Sequence, residues 1–149
     1  MKALIAALLV CAGLAQAEEV RIGIEPGFPP FAMLDASGSL TGFDKAVGDE
    51  ICARARLTCT WVITEFDALI PGVAAGRFDM AMAGLGNSAE RRAVVDFTDI
   101  YLPSSNPAAF VGHFDAPPPE QARIGVQAGT IHEEFMRSKI GRASCRERV

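Results

Sequence analysis

The sequence predicts an α/β fold built around a largely parallel sheet. Strand-like and helix-like segments alternate from residue 20 to residue 92, the pattern of parallel strands joined by helical crossovers. Residues 78–83 are apolar at nearly every position, as expected for a strand covered on both faces. The segments after the first and third predicted strands are rich in glycine or proline, which favours loops at those strand ends.

The first elements are a strand and a helix. Residues 20–24 alternate apolar and other side chains and predict the first strand, which an irregular loop over residues 25–31 follows. Asp44 is expected to cap a helix whose apolar stripe contains Val47 and Ile51.

Two further strands and two helices complete the alternation. Residues 58–64 are rich in β-branched side chains and predict the second strand. Apolar side chains then recur at helical spacing over residues 66–74, and Gly76 is expected to end that helix. After the third strand, Asn87 or Ser88 is expected to cap a short helix.

Beyond residue 100 the pattern continues with three elements and a linker. Residues 108–111 predict a strand closed by Gly112, and the proline-rich residues 115–120 predict a stiff surface linker. Residues 123–126 predict another strand, and residues 131–135 predict another helix.

The two ends of the chain differ in composition from the region between them. Residues 1–17 combine a basic start, an apolar stretch too short to span a bilayer and the small-x-small end Ala15-Gln16-Ala17, the pattern of a cleavable secretory signal. Residues 140–149 are similar to the read-through translation of a sequencing-library adapter. We therefore expect a non-native tail there, and a native sequence that continues beyond Lys139.

Composition and motifs exclude several classes of function. The net charge is −4, and this acidic balance argues against nucleic-acid binding, which favours basic patches. The sequence contains no P-loop, HExxH or GxSxG motif, and Gly84-Leu-Gly86 lacks the third glycine of a dinucleotide fingerprint. His113 and His132 have no cysteine or second histidine at zinc spacing. No metal or cofactor is expected.

Cys52 and Cys59 are the cysteines that remain between the two unusual ends. An exported chain enters an oxidising compartment, where such a pair tends to close. The turn at Arg56 and Leu57, between helix and strand, would bring the two cysteines together. We expect a structural disulfide; a redox or metal role is the alternative, which the absence of CxxC spacing disfavours.

Polar and aromatic side chains follow the carboxyl ends of the predicted strands, where open α/β sheets bind ligands. They are Glu25 with Phe28, Phe66 with Asp67, and Arg91, which follows the glycine loop Gly84-Leu-Gly86. An arginine can bind a carboxylate bidentately, and backbone N–H groups before a helix form an anion site. Aromatic faces can enclose an aliphatic stem or a cation. The ordinary alternatives are a solvated Arg91 and phenylalanines that belong to the core.

Eight sequence blocks together carry a family resemblance. In chain order they are Val20-Arg-Ile-Gly-Ile, Phe28-Pro-Pro-Phe, Leu40-Thr-Gly-Phe-Asp44, Phe66-Asp-Ala-Leu-Ile-Pro71, Gly76-Arg-Phe-Asp-Met, Ser88-Ala-Glu-Arg91, Val95-Asp-Phe-Thr-Asp-Ile-Tyr101 and Val126-Gln-Ala-Gly-Thr130. With them the chain resembles the type 3 extracellular solute-binding proteins over about residues 20–135. The cysteine spacing and the Phe66 block are similar to the subgroup that binds lysine, arginine, ornithine or histidine.

The resemblance implies a two-lobed, hinged α/β protein with the periplasmic-binding-protein-like fold of type II, which closes on its ligand. Residues 18–104 would form lobe 1, residues 105–112 a hinge or crossing strand, and residues 113–139 the start of lobe 2. The implied protein is a periplasmic monomer without catalytic activity. It would pass a polar or basic amino acid, or a similar small carboxylate, to the membrane permease of an ABC importer.

The resemblance also implies residue roles at the ligand's carboxylate. Arg91 would hold this group, with help from the backbone N–H of Gly86 and from those near Thr130 or Ile131. Thr130 and Ile131 match the family's Ser/Thr pair only in part.

At the other end of the ligand, Phe28 and Phe66 would stack on the side chain, while Glu25 and Asp44 would meet a basic group. The Gly84 carbonyl would accept from the ammonium, because hydroxyls that serve this purpose in the subgroup are replaced by glycines. Recognition of the carboxylate survives these departures better than recognition of the ammonium.

Two other functions are compatible with the same residues, because fold does not determine function. One is a periplasmic dehydratase of the cyclohexadienyl or arogenate type, an enzyme of the same fold that binds a carboxylate at the matching arginine. The other is a ligand-sensing module of a longer receptor.

Overall fold

The structure, a computed structural model, describes residues 18–103 and 108–139. The predicted secretory segment, the first residues of the predicted hinge and the predicted non-native tail lie outside the described residues. The main sheet is parallel and has three strands: β1 (Glu19–Ile24), β5 (Thr58–Ile63) and β6 (Met80–Ala81). β1 lies between the other two. The predicted α/β class with a parallel sheet is confirmed.

A second, small antiparallel sheet follows β1. It contains β2 (Gly27–Phe28), β3 (Ala32–Leu34) and β4 (Leu40–Thr41), with β3 in the middle. The segment predicted to be irregular therefore includes a short strand. Proline and glycine are compatible with such a strand because its residues pair with one neighbour only, at the edge of the sheet.

The first helix, α1 (Phe43–Ala55), begins at a glycine cap, so the prediction that Asp44 caps it is wrong. Gly42 has φ of 122°, and a β-carbon there would lie 2.3 Å from the carbonyl oxygen of Phe31. Only glycine tolerates both the backbone conformation and the close approach. Asp44 instead lies buried inside the first turn.

The predicted apolar stripe of α1 is correct at Val47, which is partly buried and packs against the core, and wrong at Ile51. Gly48 and Cys52 are buried, whereas Ile51 is 47% exposed. A β-carbon at Gly48 would lie 2.5 Å from the indole of Trp61. The glycine lets the helix approach the indole, and this contact sets the face that α1 turns to the sheet.

The next helical segment agrees with its prediction. A 3₁₀ turn (Phe66–Ala68) leads into α2 (Leu69–Ala74), and Gly76 follows with φ of 67°. The ring of Phe78 fills the space between α2 and β1, because β-carbons at Gly23 and Gly72 would both lie within 2.6 Å of it. This cluster, with the buried Leu69, forms one half of the core.

The third strand is shorter than predicted. β6 contains two residues, and Met80 is 37% exposed although Phe78, Met82 and Ala83 are buried. In the described sheet β6 has a neighbour on one side only, so its regular pairing ends early. The helix that follows, α3 (Ala89–Arg92), is capped by Ser88, whose Oγ accepts from the N–H of Arg91 at 3.3 Å.

The strands predicted over residues 108–111 and 123–126 are absent from the described part of the chain; only Ile124 forms an isolated bridge. Val111 is 97% exposed. An extended segment becomes a strand only when a neighbour accepts and donates its backbone hydrogen bonds along several residues, and neither segment forms such a ladder with a described strand. The last helix, α4 (Ile131–Lys139), forms as predicted and extends further.

The two expected disulfide partners lie close together. Arg56 has a left-handed conformation after α1, and the N–H of Leu57 donates to the carbonyl of Cys52 at 2.9 Å. This turn leads directly into β5. The Cα atoms of Cys52 and Cys59 lie 6.1 Å apart with their sulfur atoms at bonding distance, which is ordinary disulfide geometry.

Candidate functional site

Arg91 lies at the centre of the candidate site and is buried, with 8% of its surface exposed. Its Nη1 donates to the Gly86 carbonyl at 2.7 Å, and its Nη2 donates to the Gly129 carbonyl at 2.7 Å. The guanidinium carbon also lies 5.8 Å from the centre of the Phe66 ring, within the range of a cation–π contact. α3 and its Ser88 cap hold this side chain against two loops from different parts of the chain.

The charge of Arg91 is poorly compensated. Burial lowers the pKa of its guanidinium, and the charges of Glu134 and Glu90 oppose that effect. Within residues 18–103 and 108–139 no carboxylate forms a salt bridge with it. A buried cation without an ion-pair partner is costly unless an anion reaches it. This environment suits a carboxylate supplied by a ligand.

Phe28 lies beside the loop of residues 84–86, which also contains the Gly86 carbonyl that accepts from Arg91. A β-carbon at Gly84, which has φ of 58°, would lie 3.6 Å from the Phe28 ring. The ring is 51% exposed and stacks on Phe31 with 5.0 Å between centroids. An aromatic surface therefore remains accessible next to residues 84–86.

Asp44 lies below this loop and is enclosed, with 1% of its surface exposed. Its Oδ1 accepts a hydrogen bond from the Tyr101 hydroxyl at 3.0 Å, whereas its Oδ2 has no hydrogen-bond partner among the residues that the structure describes. Burial raises the pKa of Asp44, although the Tyr101 hydroxyl and the Gly84 N–H act in the opposite direction. Burial and the nearby Asp44 charge raise the pKa of Tyr101 to about 12.

Glu25 is partly exposed, and its carboxylate accepts from the N–H of Gly27 at 2.6 Å. It also lines an open depression of about 650 Å³, together with Met33, Leu34, Ile63 and others. This depression does not include Arg91, Phe28 or Phe66. We place the candidate site at Arg91 because the buried charge and the converging loops lie there.

Thr130 and Ile131 lie at the start of α4, opposite the loop of Gly86. Thr130 Oγ1 donates to the Gln127 carbonyl at 2.7 Å and accepts from the N–H of Glu133 at 3.2 Å, so it caps the helix. A β-carbon at Gly86 would lie 3.4 Å from the Cγ2 of Ile131. The start of α4 thus packs directly beside the loop of residues 84–86.

The structure gathers the predicted residues into two neighbouring groups and leaves one apart. The first group contains Arg91, Phe66, Gly86, Thr130 and Ile131. The second group contains Phe28, Gly84 and Asp44. Glu25 lies apart from both, on the outer loop beside the depression. The shared loop of residues 84–86 joins the two groups.

Sequence reasoning missed two participants. Tyr101 ends one of the quoted sequence blocks and Gly129 lies within another, so both were visible in the sequence but had been given no role. Their contacts with Asp44 and Arg91 join positions 57 and 38 residues apart, and no local pattern indicates contacts at such separations.

The part of the chain that the structure describes contains no cluster of three or more metal-binding side chains. Among the same residues, no helix has the length and apolar character needed to cross a membrane.

Comparison with protein families identifies relatives of this chain. Residues 20–118 match the model of the bacterial extracellular solute-binding proteins, family 3. The arginine-binding periplasmic protein of Mannheimia haemolytica is 36% identical over 135 residues, which cover 91% of this chain and 56% of the relative. The lysine/arginine/ornithine-binding periplasmic protein of Escherichia coli is 34% identical over 147 residues, with the same coverages of 91% and 56%. The chain spans about half the length of these relatives.

Solved structures show the same similarity. A periplasmic His/Glu/Gln/Arg/opine family-binding protein from Silicibacter pomeroyi, in complex with lysine, has a TM-score of 0.67 and 31% identity, covering 87% of this chain and 57% of that one. The arginine-bound form of domain 1 of an arginine-binding protein, TmArgBP, has a TM-score of 0.54 and 32% identity, covering 56% of this chain and 65% of that one. These two comparisons agree with the fold described above.

Proposed function

Because the chain belongs to the bacterial extracellular solute-binding proteins of family 3, we propose that it captures a small amino acid in the periplasm for an ABC importer. Relatives named for arginine and for lysine, arginine and ornithine support a polar or basic amino acid, or a similar carboxylate, as the ligand. The partner of the loaded protein is the membrane permease of that importer. The protein acts as a monomer that binds without catalysis, and its relatives named above are binding proteins.

The observation that carries this proposal is the state of Arg91. It is buried, lies over an aromatic ring and makes hydrogen bonds to two carbonyl groups. Carbonyl groups orient a guanidinium but do not neutralise it. A ligand carboxylate supplies the missing charge and forms a bidentate pair that water cannot match in a partly desolvated site.

The rest of the ligand extends over the aromatic surface. Phe66 and the half-exposed Phe28 flank the loop of residues 84–86 and would contact the aliphatic part of the side chain. Glu25 lies beyond Phe28 at the outer loop, where a partly exposed carboxylate can meet a basic group. Asp44 would meet the basic group from below the loop of residues 84–86, because its carboxylate is enclosed there and accepts a hydrogen bond from the Tyr101 hydroxyl.

The larger architecture is part of the same proposal. Residues 18–104 form lobe 1, residues 105–112 the crossing segment and residues 113–139 the beginning of lobe 2, after a secretory segment of residues 1–17. In this proposal residues 140–149 would form a non-native tail. The Cys52–Cys59 disulfide stabilises lobe 1 outside the cytoplasm, and the arginine-bound domain 1 is a precedent for ligand binding by one lobe.

Thermal unfolding with and without L-arginine, L-lysine, L-histidine and L-glutamine tests the proposal. A ligand at 100 times its dissociation constant stabilises the folded state by about 2.7 kcal/mol, which corresponds to several degrees in Tm. We expect this shift for at least one basic or polar amino acid, and we expect Arg91→Ala to abolish it.

Arg92→Ala is the matched control. Arg92 is the next residue of α3, is exposed and donates to the carbonyl and side chain of Asn87. This variant should retain the shift. Equal shifts in Arg91→Ala and the unsubstituted protein would remove Arg91 from the site and contradict the proposal.

A further inference from the structure

The open depression beside Glu25 is a second concave surface, apart from the candidate site. It has a volume of about 650 Å³ and lies between the carboxyl ends of β1 and β5 on one side and the β2–β3 hairpin on the other. Arg91, Phe28 and Phe66 do not line it. Because Glu25 is also proposed to contact the ligand, the tests below change other residues of the depression.

Backbone hydrogen bonds hold both walls of the depression in place. The N–H of Thr64 donates to the carbonyl of Ile24 at 3.0 Å, which joins the end of β5 to the end of β1. On the other wall, Met33 pairs with Gly27 and with Thr41 in the small sheet. A partner that enters the depression therefore meets a preformed surface, which lowers the entropic cost of binding.

Large apolar side chains line the depression from both walls. Ile63 of β5 is 53% exposed, and Leu34 of β3 is 47% exposed. The partly buried Met33 also lines the depression. An exposed apolar surface with polar groups at its edge is typical of an interaction site.

The charge of the depression has one sign. The described residues that line it include the carboxylates of Glu25 and Glu65 and no lysine, arginine or histidine. Glu65 is exposed, and within residues 18–103 and 108–139 it forms no salt bridge. A basic side chain complements this surface, whereas an acidic one is repelled by it.

The shape of the depression favours a protein segment over a small molecule. Sites for small molecules enclose most of the ligand's surface, whereas this depression is open to solvent. A protein segment can place one basic side chain at the carboxylates and a neighbouring apolar side chain on Ile63 or Leu34 while its backbone stays outside. The aliphatic stem of an arginine or lysine covers further apolar surface.

We propose that this depression is a docking surface for a partner protein, which enters it with a segment that carries an arginine or lysine beside an apolar residue. The basic group pairs with Glu65 and Glu25, and the apolar residue covers Ile63 and Leu34. The hairpin that forms one wall of the depression also carries Phe28, so a docked partner and a bound ligand contact the same hairpin. The docking surface itself does not rest on the proposed function, because Arg91 takes no part in it.

Capped tripeptides test this surface, because they lack the free carboxylate that Arg91 is proposed to bind. Acetyl-Leu-Arg-Leu-amide is titrated into the isotopically labelled chain, and the amide chemical shifts are followed by NMR. We expect changes centred on residues 25–29, 33–34 and 63–65, with millimolar affinity because the contact is far smaller than a stable interface. Acetyl-Leu-Gln-Leu-amide should bind about threefold more weakly at low ionic strength, since it lacks the charge.

Two substitutions separate the charged from the apolar contribution. Glu65→Gln should weaken binding of the arginine peptide about twofold to threefold at low ionic strength and leave the glutamine peptide unchanged. Ile63→Ser should weaken both peptides alike. Glu19→Gln is the matched control, because Glu19 is exposed at the opposite end of β1 and its substitution removes the same charge. This variant should bind both peptides as the unsubstituted chain does.

Several results would overturn the docking surface. Chemical-shift changes centred on Arg91 and Phe66 would place the peptide in the candidate site, and equal binding of the two peptides would remove the charge recognition. Equal losses in Glu65→Gln and Glu19→Gln would reduce the effect to net charge. Binding of butylguanidinium as tightly as the arginine peptide would make the depression a site for small cations. Self-association of the chain that Ile63→Ser abolishes would assign the surface to a second copy.

The docking surface and the proposed function can fail separately. If the arginine peptide binds as expected but no amino acid stabilises the chain, the docking surface stands and the proposed function fails. If an amino acid binds through Arg91 but neither peptide binds in the depression, the docking surface fails and the proposed function stands.

Discussion

Tyr101→Phe removes one hydroxyl group and leaves the ring in place. That hydroxyl donates to Asp44 Oδ1 at 3.0 Å, and within residues 18–103 and 108–139 Asp44 Oδ2 has no hydrogen-bond partner. The ring stacks on Phe43 with 6.4 Å between centroids, a contact that phenylalanine keeps. The substitution therefore leaves an enclosed carboxylate without its side-chain hydrogen bond.

The expected cost follows from the surroundings of the pair. A hydrogen bond to a charged acceptor contributes about 1.5–3 kcal/mol. Asp44 is enclosed, but Tyr101 is 43% exposed, so water can replace part of the lost bond in the variant. We expect the free energy of unfolding to fall by about 1–2 kcal/mol at pH 7.

The pH dependence of this loss has a definite sign. Burial raises the pKa of Asp44 above its ordinary value of 3.8. A carboxyl group with a raised pKa in the folded state binds its proton more readily there, so its ionisation lowers stability as the pH rises from about 4. The Tyr101 hydroxyl favours the ionised form, and its removal should therefore cost most at neutral pH and less as the pH falls towards 4.

Urea unfolding at pH 7 and at pH 4 measures the effect, with Asp44→Asn and the double variant completing a cycle. Asparagine keeps an acceptor but removes the charge, so Tyr101→Phe should cost less in that background. A coupling energy below about 0.3 kcal/mol, the level at which independent sites add, would show that the two side chains do not support each other and would refute the reasoning.

Two further predictions concern the packing around the main sheet. Reduction of the proposed Cys52–Cys59 bond should lower the free energy of unfolding by roughly 2–3 kcal/mol in the chain-entropy model; chemical denaturation with and without dithiothreitol checks this, and equal midpoints would contradict it. Gly72→Ala would place a β-carbon 2.1 Å from the Phe78 ring and should cost about 2–3 kcal/mol by overpacking. Gly38→Ala, where no described atom would lie within 4 Å but φ is 81°, should cost about 1 kcal/mol by backbone strain alone. Equal losses in the two variants would contradict the packing argument.

The predictions that succeeded depend on local information. The alternation in β1, the helical spacing after Phe66 and the Ser88 cap all arise from side chains within a few residues of each other. The helix over residues 131–135 succeeded for the same reason. The spacing of apolar residues predicts which side of a helix or strand faces the core. This works when the helix makes its backbone hydrogen bonds within itself, or when the strand has a buried neighbouring strand.

The predictions that failed depend on packing partners that the sequence pattern does not identify. α1 begins at Gly42 because the Phe31 carbonyl approaches it closely, and its buried face includes Gly48 because the Trp61 indole packs there. Residues 108–111 have strand-like composition but pair with no described strand. In the first two cases a residue outside the helix determined the outcome, and in the third the described residues supply no partner strand.

The site shows the same division. The sequence by itself determined the α/β class, the family resemblance and the identity of Arg91 as the anion-binding candidate, because residue type and spacing carry that chemistry. The tertiary structure decided that Arg91 is buried without a described carboxylate partner, that Tyr101 covers Asp44 and that Gly129 meets the guanidinium. Burial and long-range hydrogen bonds depend on how distant segments pack, and a linear pattern contains no distances between them.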